Sequence, residues 1–380
     1  MSKSNLMNTV SVKENLRIIG AKGSYLFTDK NTKLLDWFAD VGTVNLGYSP
    51  PELVNKISNI PQHIPNTLMT EEKINAAKSL CSLTGMDKVF FCNSGAEANE
   101  AAIKIVRKWN HNNKTNKNTI YTIKDGFHGR TYGAISAGDG APYHYDGFGP
   151  HLEGFKHFSN LSEINWDDAQ AIMLATMFGN NDAIVYDNEF LMELRYLCDI
   201  YNVPLVLDEV QVGAGRTGNF NAYDSYGIFP DVLCLGKGIG CGIPTGVTLA
   251  KGEFGDILTP GSHYSTFGGS PLSCAGINFL TSEWNKKYLK DNIDKQSIKI
   301  KAFLNNIPRL SNIRGIGMWI AFDVDDDKAM LLSNELLRNG MFVPTFRNKS
   351  IKITPMLNSS DIEIDEGLNI IDLSIKKVYQ

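Results

Sequence analysis

From residue 88 onward, short runs of uninterrupted apolar residues alternate with segments whose apolar positions recur at helical spacing. KVFFCN at 88–93 reads as a buried strand, 97–109 as a helix with Ala98, Ala101, Ala102, Ile105, Val106 and Trp109 on one side, and TIYTI at 119–123 as a strand again. The series continues with AIMLATMF at 171–178, a helix carrying Phe190, Leu191, Leu194, Leu197, Cys198 and Tyr201, PLVLDEV at 204–210 and VLCLG at 232–236. A strand that is apolar on both faces must be covered on both, so this order predicts an α/β fold with a mostly parallel, doubly covered sheet. Between the helix at 97–109 and the next strand, the polar run NHNNKTNKN at 110–118 is expected to be an exposed loop.

The last hundred residues change character. A helix near 272–288 is followed by a strand-like GMWIAFDV at 317–324, a helix at 328–339, two short strands around MFVPTF and IKITP, and a terminal helix. These predict a smaller α+β domain, giving a large domain at 46–288 and a small one built from 289–380 with residues 1–45 packed onto it.

Charge narrows the partners. Lys plus Arg number 37 against 41 Asp plus Glu, a formal charge of -4, which gives no electrostatic reason to expect nucleic acid or an anionic membrane. No run approaches the roughly 18 apolar residues of a membrane span, and MSKSNLMNTVSVKENL lacks an apolar secretory core, so a cytoplasmic location is expected. The cysteines, Cys81, Cys92, Cys198, Cys234, Cys241 and Cys274, show no CxxC pairing and are expected to be buried thiols; the histidines show no ligand spacing, so no metal site is expected.

Three places can carry chemistry. In FCNSGAEANEAAIK, Asn93-Ser94-Gly95-Ala96 joins a strand to a helix, where the first amide groups either cradle a phosphate or simply complete a tight turn that needs glycine. In LVLDEVQVGAGRTG, Asp208 ends an apolar strand, where it either caps the next turn or neutralises a protonated heterocycle nitrogen. In LGKGIGCGIP, Lys237 is enclosed by Gly236, Gly238, Gly240 and Gly242; it is either an ordinary loop lysine or a partly desolvated amine with room for a planar group, as a Schiff-base lysine requires.

These segments, with GFHGRT and STFGGSPLSCA, occur in the order seen in class III pyridoxal-phosphate aminotransferases, and the chain most resembles the acetylornithine and ornithine aminotransferase branch. The resemblance implies a fold-type I transferase with pyridoxal 5'-phosphate as cofactor. It also implies a ping-pong transfer of an ω-amino group from a small diamino acid, free or N-acylated as in acetylornithine, to a 2-oxo acid acceptor. By position, Lys237 is similar to the lysine that carries the cofactor and shuttles the proton, and Asp208 to the carboxylate that keeps its ring nitrogen protonated. Gln211 resembles the residue that contacts the cofactor's phenolic oxygen, while Val210 and Phe127 resemble those that pack on its two faces. Gly95 and Ala96 look like the backbone phosphate binders. Thr266 is similar to the residue that reaches the phosphate of a neighbouring subunit, which implies a homodimer with composite sites; its alternative is a turn hydroxyl. Arg130 resembles the arginine that grips a substrate carboxylate with its planar fork, the alternative being a structural salt bridge.

The chain also departs from the family pattern. Where the family carries Glu-Pro-x-Gln-Gly-Glu-Gly-Gly, this sequence reads ATMFGNND, with Ala175 and Asn180 in place of the two glutamates. The second family arginine corresponds to Lys352 in IKITPML. Four readings follow: a changed donor or acceptor, use of Lys352 or Arg347 for the acceptor carboxylate, a cofactor-binding protein with little turnover, or an aminomutase.

Overall fold

The computed structural model describes residues 5, 7, 9, 16–177, 183–325, 327–345 and 348–380. Near the N-terminus, β1 (Ile18–Lys22), β2 (Tyr25–Thr28) and β3 (Lys33–Asp36) form an antiparallel meander. The central sheet follows: β4 (Lys88–Cys92), β5 (Thr119–Ile123), β6 (Phe155–Phe158), β7 (Ala169–Ala175), β8 (Leu205–Asp208), β9 (Val232–Gly236) and β10 (Gly246–Ala250), in the order β4-β10-β9-β8-β7-β5-β6. Pairing is parallel from β9 through β8, β7 and β5 to β6, whereas β10 is antiparallel to both β4 and β9. Since β4 opposes β10 and β10 opposes β9, β4 runs in the same sense as the rest. The C-terminal ends of β4, β5, β7, β8 and β9 therefore open on one edge of the sheet, the edge at which α/β folds bind ligands.

The expected alternation of strands and helices is present, and burial explains it. Every residue of β5, β8, β9 and β10 is buried, as strands covered on both faces must be. Helix Gly95–Asn113 buries Ala98, Ala101, Ala102, Ile105, Val106 and Trp109, the stripe anticipated from the sequence. Each large aliphatic residue on that stripe contributes roughly 1.5–3 kcal/mol of burial.

Several expectations need correction. The segment 110–118 is not all loop, because the helix continues to Asn113. Asn110, in the last turns of that helix, is buried; its amide donates to the carbonyls of Val106 and Gln170 at 2.8 Å each and its oxygen accepts from the Thr115 hydroxyl at 2.6 Å, so a polar residue is buried without an unpaired group. The helix expected near 272–288 is present as Pro271–Asn285, but a second helix that the sequence reading did not include, Tyr288–Asn305, follows it after Lys287, which has a left-handed φ of 64°. Cys81 is only half-buried; the other cysteines are buried thiols. β6 and β10 carry no strong sequence signal, yet β10 is the strand that lies between β4 and β9.

Beyond the central sheet, β11 (Ser311–Ile316), β12 (Trp319–Asp323) and β14 (Ser350–Ile353) form an antiparallel sheet with β12 in the middle. The two-residue β13 (Met341–Phe342) pairs in parallel with β3, Met341 opposite Leu35. The N-terminal and C-terminal parts of the chain thus share a sheet. Helix Asp361–Val378 closes the fold and starts with a reciprocal capping box between Ser360 and Glu363.

Candidate active site

Asp208 is the last residue of β8 and is 5% exposed. Its Oδ1 accepts from the Val210 amide at 3.0 Å, the turn-capping role open from sequence. Its Oδ2 does something else. It accepts from Asn99 Nδ2 at 2.7 Å and lies 2.8 Å from His128 Nδ1. Asn99 also donates to the His128 carbonyl at 2.7 Å, closing a three-residue cluster. In this contact Nδ1 is assigned as the donor because the carboxylate oxygen is the acceptor, and the buried Nε2 of His128 has no partner among the described residues. Sequence reasoning missed both donors. Asn99 lies one turn along the helix from Gly95, and His128 sits inside GFHGRT, but neither spacing says that both point at Asp208.

Glu209, next along the chain, points the other way and is fully buried. It accepts from the Thr176 hydroxyl at 2.9 Å and from the Ala222 and Tyr223 amides at 2.8 and 2.7 Å. Burial outweighs these donors and pushes its carboxyl up from 4.5 to about 7.

Lys237 follows β9 directly and has a left-handed φ of 46°, a strained conformation for a residue with a side chain. The glycines around it have assignable tasks. A Cβ on Gly238 would fall 2.2 Å from Asn45 Nδ2, so the loop lies against a residue of the N-terminal segment, a neighbour that no local sequence pattern indicates. The Lys237 amine has no hydrogen bond among the described residues. Burial lowers its pKa, while the charges of Asp208 and Asp40 act against that shift. The residue as a whole is half-buried.

At the end of β4, Ser94 caps the helix Gly95–Asn113, accepting from the Glu97 amide at 3.2 Å. The Gly95 and Ala96 amides belong to the first turn, where no intrahelical acceptor exists. A Cβ on Gly95 would lie 2.4 Å from Val210 Cγ1, so this glycine is required by the close approach of Val210. Phe127 is half-buried, with its ring edge-to-face against His144 at 5.1 Å. The Arg130 guanidinium lies 5.4 Å over the Phe127 ring and has no carboxylate partner among the described residues, so the salt-bridge alternative is not realised there. Thr266 is exposed. Its neighbour Ser265 accepts from Asn93 Nδ2 at 3.1 Å, which ties the STFGG loop to the same strand-to-helix turn.

Two further sites bear on the departures noted above. Ala175 is in register with Asp208 across β7 and β8. Lys352, on β14, is 8% exposed and donates from Nζ to Gln211 Oε1 at 3.3 Å. Asn180 and Arg347 lie outside the described residues. Arg216, in the GAGRTG segment, was not singled out from sequence; it is fully buried with no carboxylate partner among the described residues. Its guanidinium donates to the Met318 carbonyl at 3.1 Å, to the Pro355 carbonyl and to Asn45 Oδ1.

One sheet edge thus gathers a carboxylate held by three donors, an amine with a lowered pKa, the first turn of a long helix, a half-buried aromatic ring and an unpaired guanidinium. This set of groups fits a planar, protonated heterocycle that carries a phosphate and reacts with an amine. Among the described residues no group of three or more His, Cys, Asp or Glu is arranged to hold a metal ion, and no helix is long and apolar enough to cross a membrane.

The family model Aminotransferase class-III matches residues 8–375. An acetylornithine aminotransferase of Caldanaerobacter subterraneus is 34% identical, with 97% of this chain and 97% of that protein covered. A succinylornithine transaminase of Photorhabdus laumondii is 34% identical over 94% of this chain and 93% of its own length. Among solved structures, the ornithine aminotransferase from Toxoplasma gondii superposes with a TM-score of 0.92 at 25% identity, covering 99% of this chain and 93% of that one.

Proposed function

The chain belongs to the class III aminotransferases, and from that premise we infer that it is a pyridoxal-phosphate-dependent transaminase acting on ornithine derivatives. Its donor is read as a small diamino acid, N-acylated as in acetylornithine, whose ω-amino group passes to a 2-oxo acid. The observation that carries this reading is the desolvated Lys237 amine placed after β9, beside the strand that ends in the clamped Asp208.

When bound, the cofactor supplies an electron-accepting ring and a carbonyl that carries the amino group between the two half-reactions. The protein supplies the rest. Gly95 and Ala96 amides hold the phosphate, and Val210 and Phe127 confine the ring between them. Asp208, kept as an acceptor by Asn99 and His128, holds the ring nitrogen protonated. The Lys237 Nζ, neutral more readily than a solvated amine, would take the proton from the substrate carbon that bears the amino group and deliver it to the carbon that was the cofactor's carbonyl carbon. Gln211 contacts the phenolic oxygen, and Arg130 binds a substrate carboxylate.

Absorbance conversion of the bound cofactor to its amine form, followed with N-acetylornithine, N-succinylornithine and ornithine in turn, tests the donor. Rapid conversion by an acylated ornithine supports the reading; conversion by none of the three overturns it. A second reading, a transaminase of altered acceptor use or a cofactor-binding protein with little turnover, is favoured by Ala175 and by a Lys352 amine engaged with Gln211. Conversion by donor without return on adding any 2-oxo acid would select it.

The same reading carries a homodimer in which Thr266 reaches the neighbouring subunit's phosphate. It is supported by exposed aromatic residues on segments beside the site, Tyr143 at 67% and, next to Thr266, Phe267 at 61%. A stable monomer with tightly bound cofactor in sedimentation would overturn it. Residues 46–288 are taken as the cofactor-binding domain and 1–45 with 289–380 as the small domain, consistent with the β3–β13 pairing.

A further inference from the structure

Lys352 stands in register with Ala321, on a strand packed beside the central β12, and its ammonium reaches the segment that leaves β8. An ammonium has three donors and no acceptor, so the Gln211 amide must turn its oxygen toward Lys352. The other end of that amide, Nε2, has no partner among the described residues. Gln211 is three residues beyond Asp208 in the chain and half-buried.

A primary amide has nearly the same shape in its two flipped orientations, so packing alone selects poorly between them. The charge of Lys352 does select, because the flipped amide would set two N–H donors against an ammonium. We propose that Lys352 is a positioning residue that fixes the Gln211 amide, reserving its NH2 end as donor to the phenolic oxygen of the bound cofactor. The proposal rests on the reading of Gln211 given above.

The test is a double-mutant cycle on the holoenzyme, wild type, Lys352→Met, Gln211→Ala and the double variant, read by the pH midpoint of the bound cofactor's absorbance change. Methionine fills the space of the buried lysine stem without its donor. Lys352→Leu, apolar and likewise without a donor, is the second variant should Lys352→Met fail to fold. Donation to the phenolic oxygen favours its ionised form, so loosening the donor moves the midpoint upward, by about half to one pH unit for a three- to tenfold change in the proton equilibrium. Either Lys352 variant is expected to show this shift with Gln211 present and none in the Gln211→Ala background, and Lys352→Arg, which keeps a donor, is expected to stay near wild type. A midpoint unmoved by both Lys352 substitutions while Gln211→Ala moves it overturns the proposal alone. A shift of equal size in both backgrounds also overturns it, since Lys352 then acts through its charge and not through Gln211. A silent Gln211→Ala overturns the reading of Gln211 and the proposal with it.

Discussion

His128 Nδ1 lies 2.8 Å from Asp208 Oδ2, and both side chains are withdrawn from solvent. With the Asn99 amide on the same oxygen and the Val210 amide on the other, three donors converge on one carboxylate. An acceptor so surrounded has its direction fixed before any ligand arrives, which is the preorganisation that electrostatic catalysis needs.

Asp208→Asn therefore does more than remove a charge. The new amide satisfies Asn99 and His128 with its oxygen only by turning its own donors toward the Val210 N–H. The variant should retain some cofactor but transfer the proton much more slowly, as single-turnover absorbance will show. His128→Phe removes one hydrogen bond to a charged group, a loss of about 1.5–3 kcal/mol, readable as a lower denaturant midpoint. Wild-type turnover in Asp208→Asn would remove that residue from its role.

Lys237 carries opposite demands of chemistry and stability. Burial lowers its folded-state pKa, so the unfolded chain binds the proton more tightly. Stability then rises with pH between that lowered value and the ordinary 10.5, and below this window the buried charge is a standing penalty. Lys237→Met should make the cofactor-free protein more stable than wild type at pH 7, by a margin that shrinks as pH approaches 10.5. It should also abolish both turnover and the borohydride-reducible linkage. Thermal midpoints at pH 7 and pH 9.5, with mass spectrometry of the reduced protein, check both halves; an adduct on another lysine ends the assignment.

Glu209 gives a pH signature of the opposite sign. Its unfolded form loses the proton near 4.5 and its folded form near 7, so stability falls as pH rises through that window and levels off above it. Glu209→Gln titrates in neither state. The stability of wild type relative to this variant should fall by as much as about 3 kcal/mol across the window, at roughly 1.4 kcal/mol per pH unit. Urea unfolding of the cofactor-free proteins at pH 5 and 7.5 measures it. Equal differences at the two pH values would mean that Glu209 titrates normally in the folded protein.

What could be read from the sequence follows from where the information is local. The apolar runs ending in Cys92, Asp208 and Gly236 are self-contained strand signals, and parallel order then brings their C-terminal ends to one edge. The partners of Asp208 are not local. Asn99 is 109 residues away, and its amide on an otherwise apolar helix stripe is equally compatible with a backbone contact of the kind Asn110 makes. Arg216 is harder still. Its acceptors come from Asn45, Met318 and Pro355, three segments that meet only once the N-terminal and C-terminal parts share a sheet. Glycine at 238 looked like room for a ligand; in the structure the nearest claim on that space is Asn45.

The acceptor carboxylate provides the last prediction. The family resemblance implies an arginine where Lys352 stands, and a bidentate guanidinium grips a carboxylate more strongly and directionally than a point ammonium. The Lys352 amine is moreover engaged with Gln211, so a carboxylate must draw on a cation already in use. A deficit of about 1.5–3 kcal/mol, the worth of one charge-assisted hydrogen bond, corresponds to an acceptor bound about one to two orders of magnitude more weakly than an arginine would hold it. Lys352→Arg should thus improve the second half-reaction with 2-oxoglutarate while the donor half-reaction, which depends on Arg130 and Lys237, changes little. Single-turnover kinetics on each half-reaction separate the two. If wild type already uses 2-oxoglutarate with ordinary affinity and Lys352→Arg changes neither step, the acceptor is bound by other groups and Lys352 has no part in its selection.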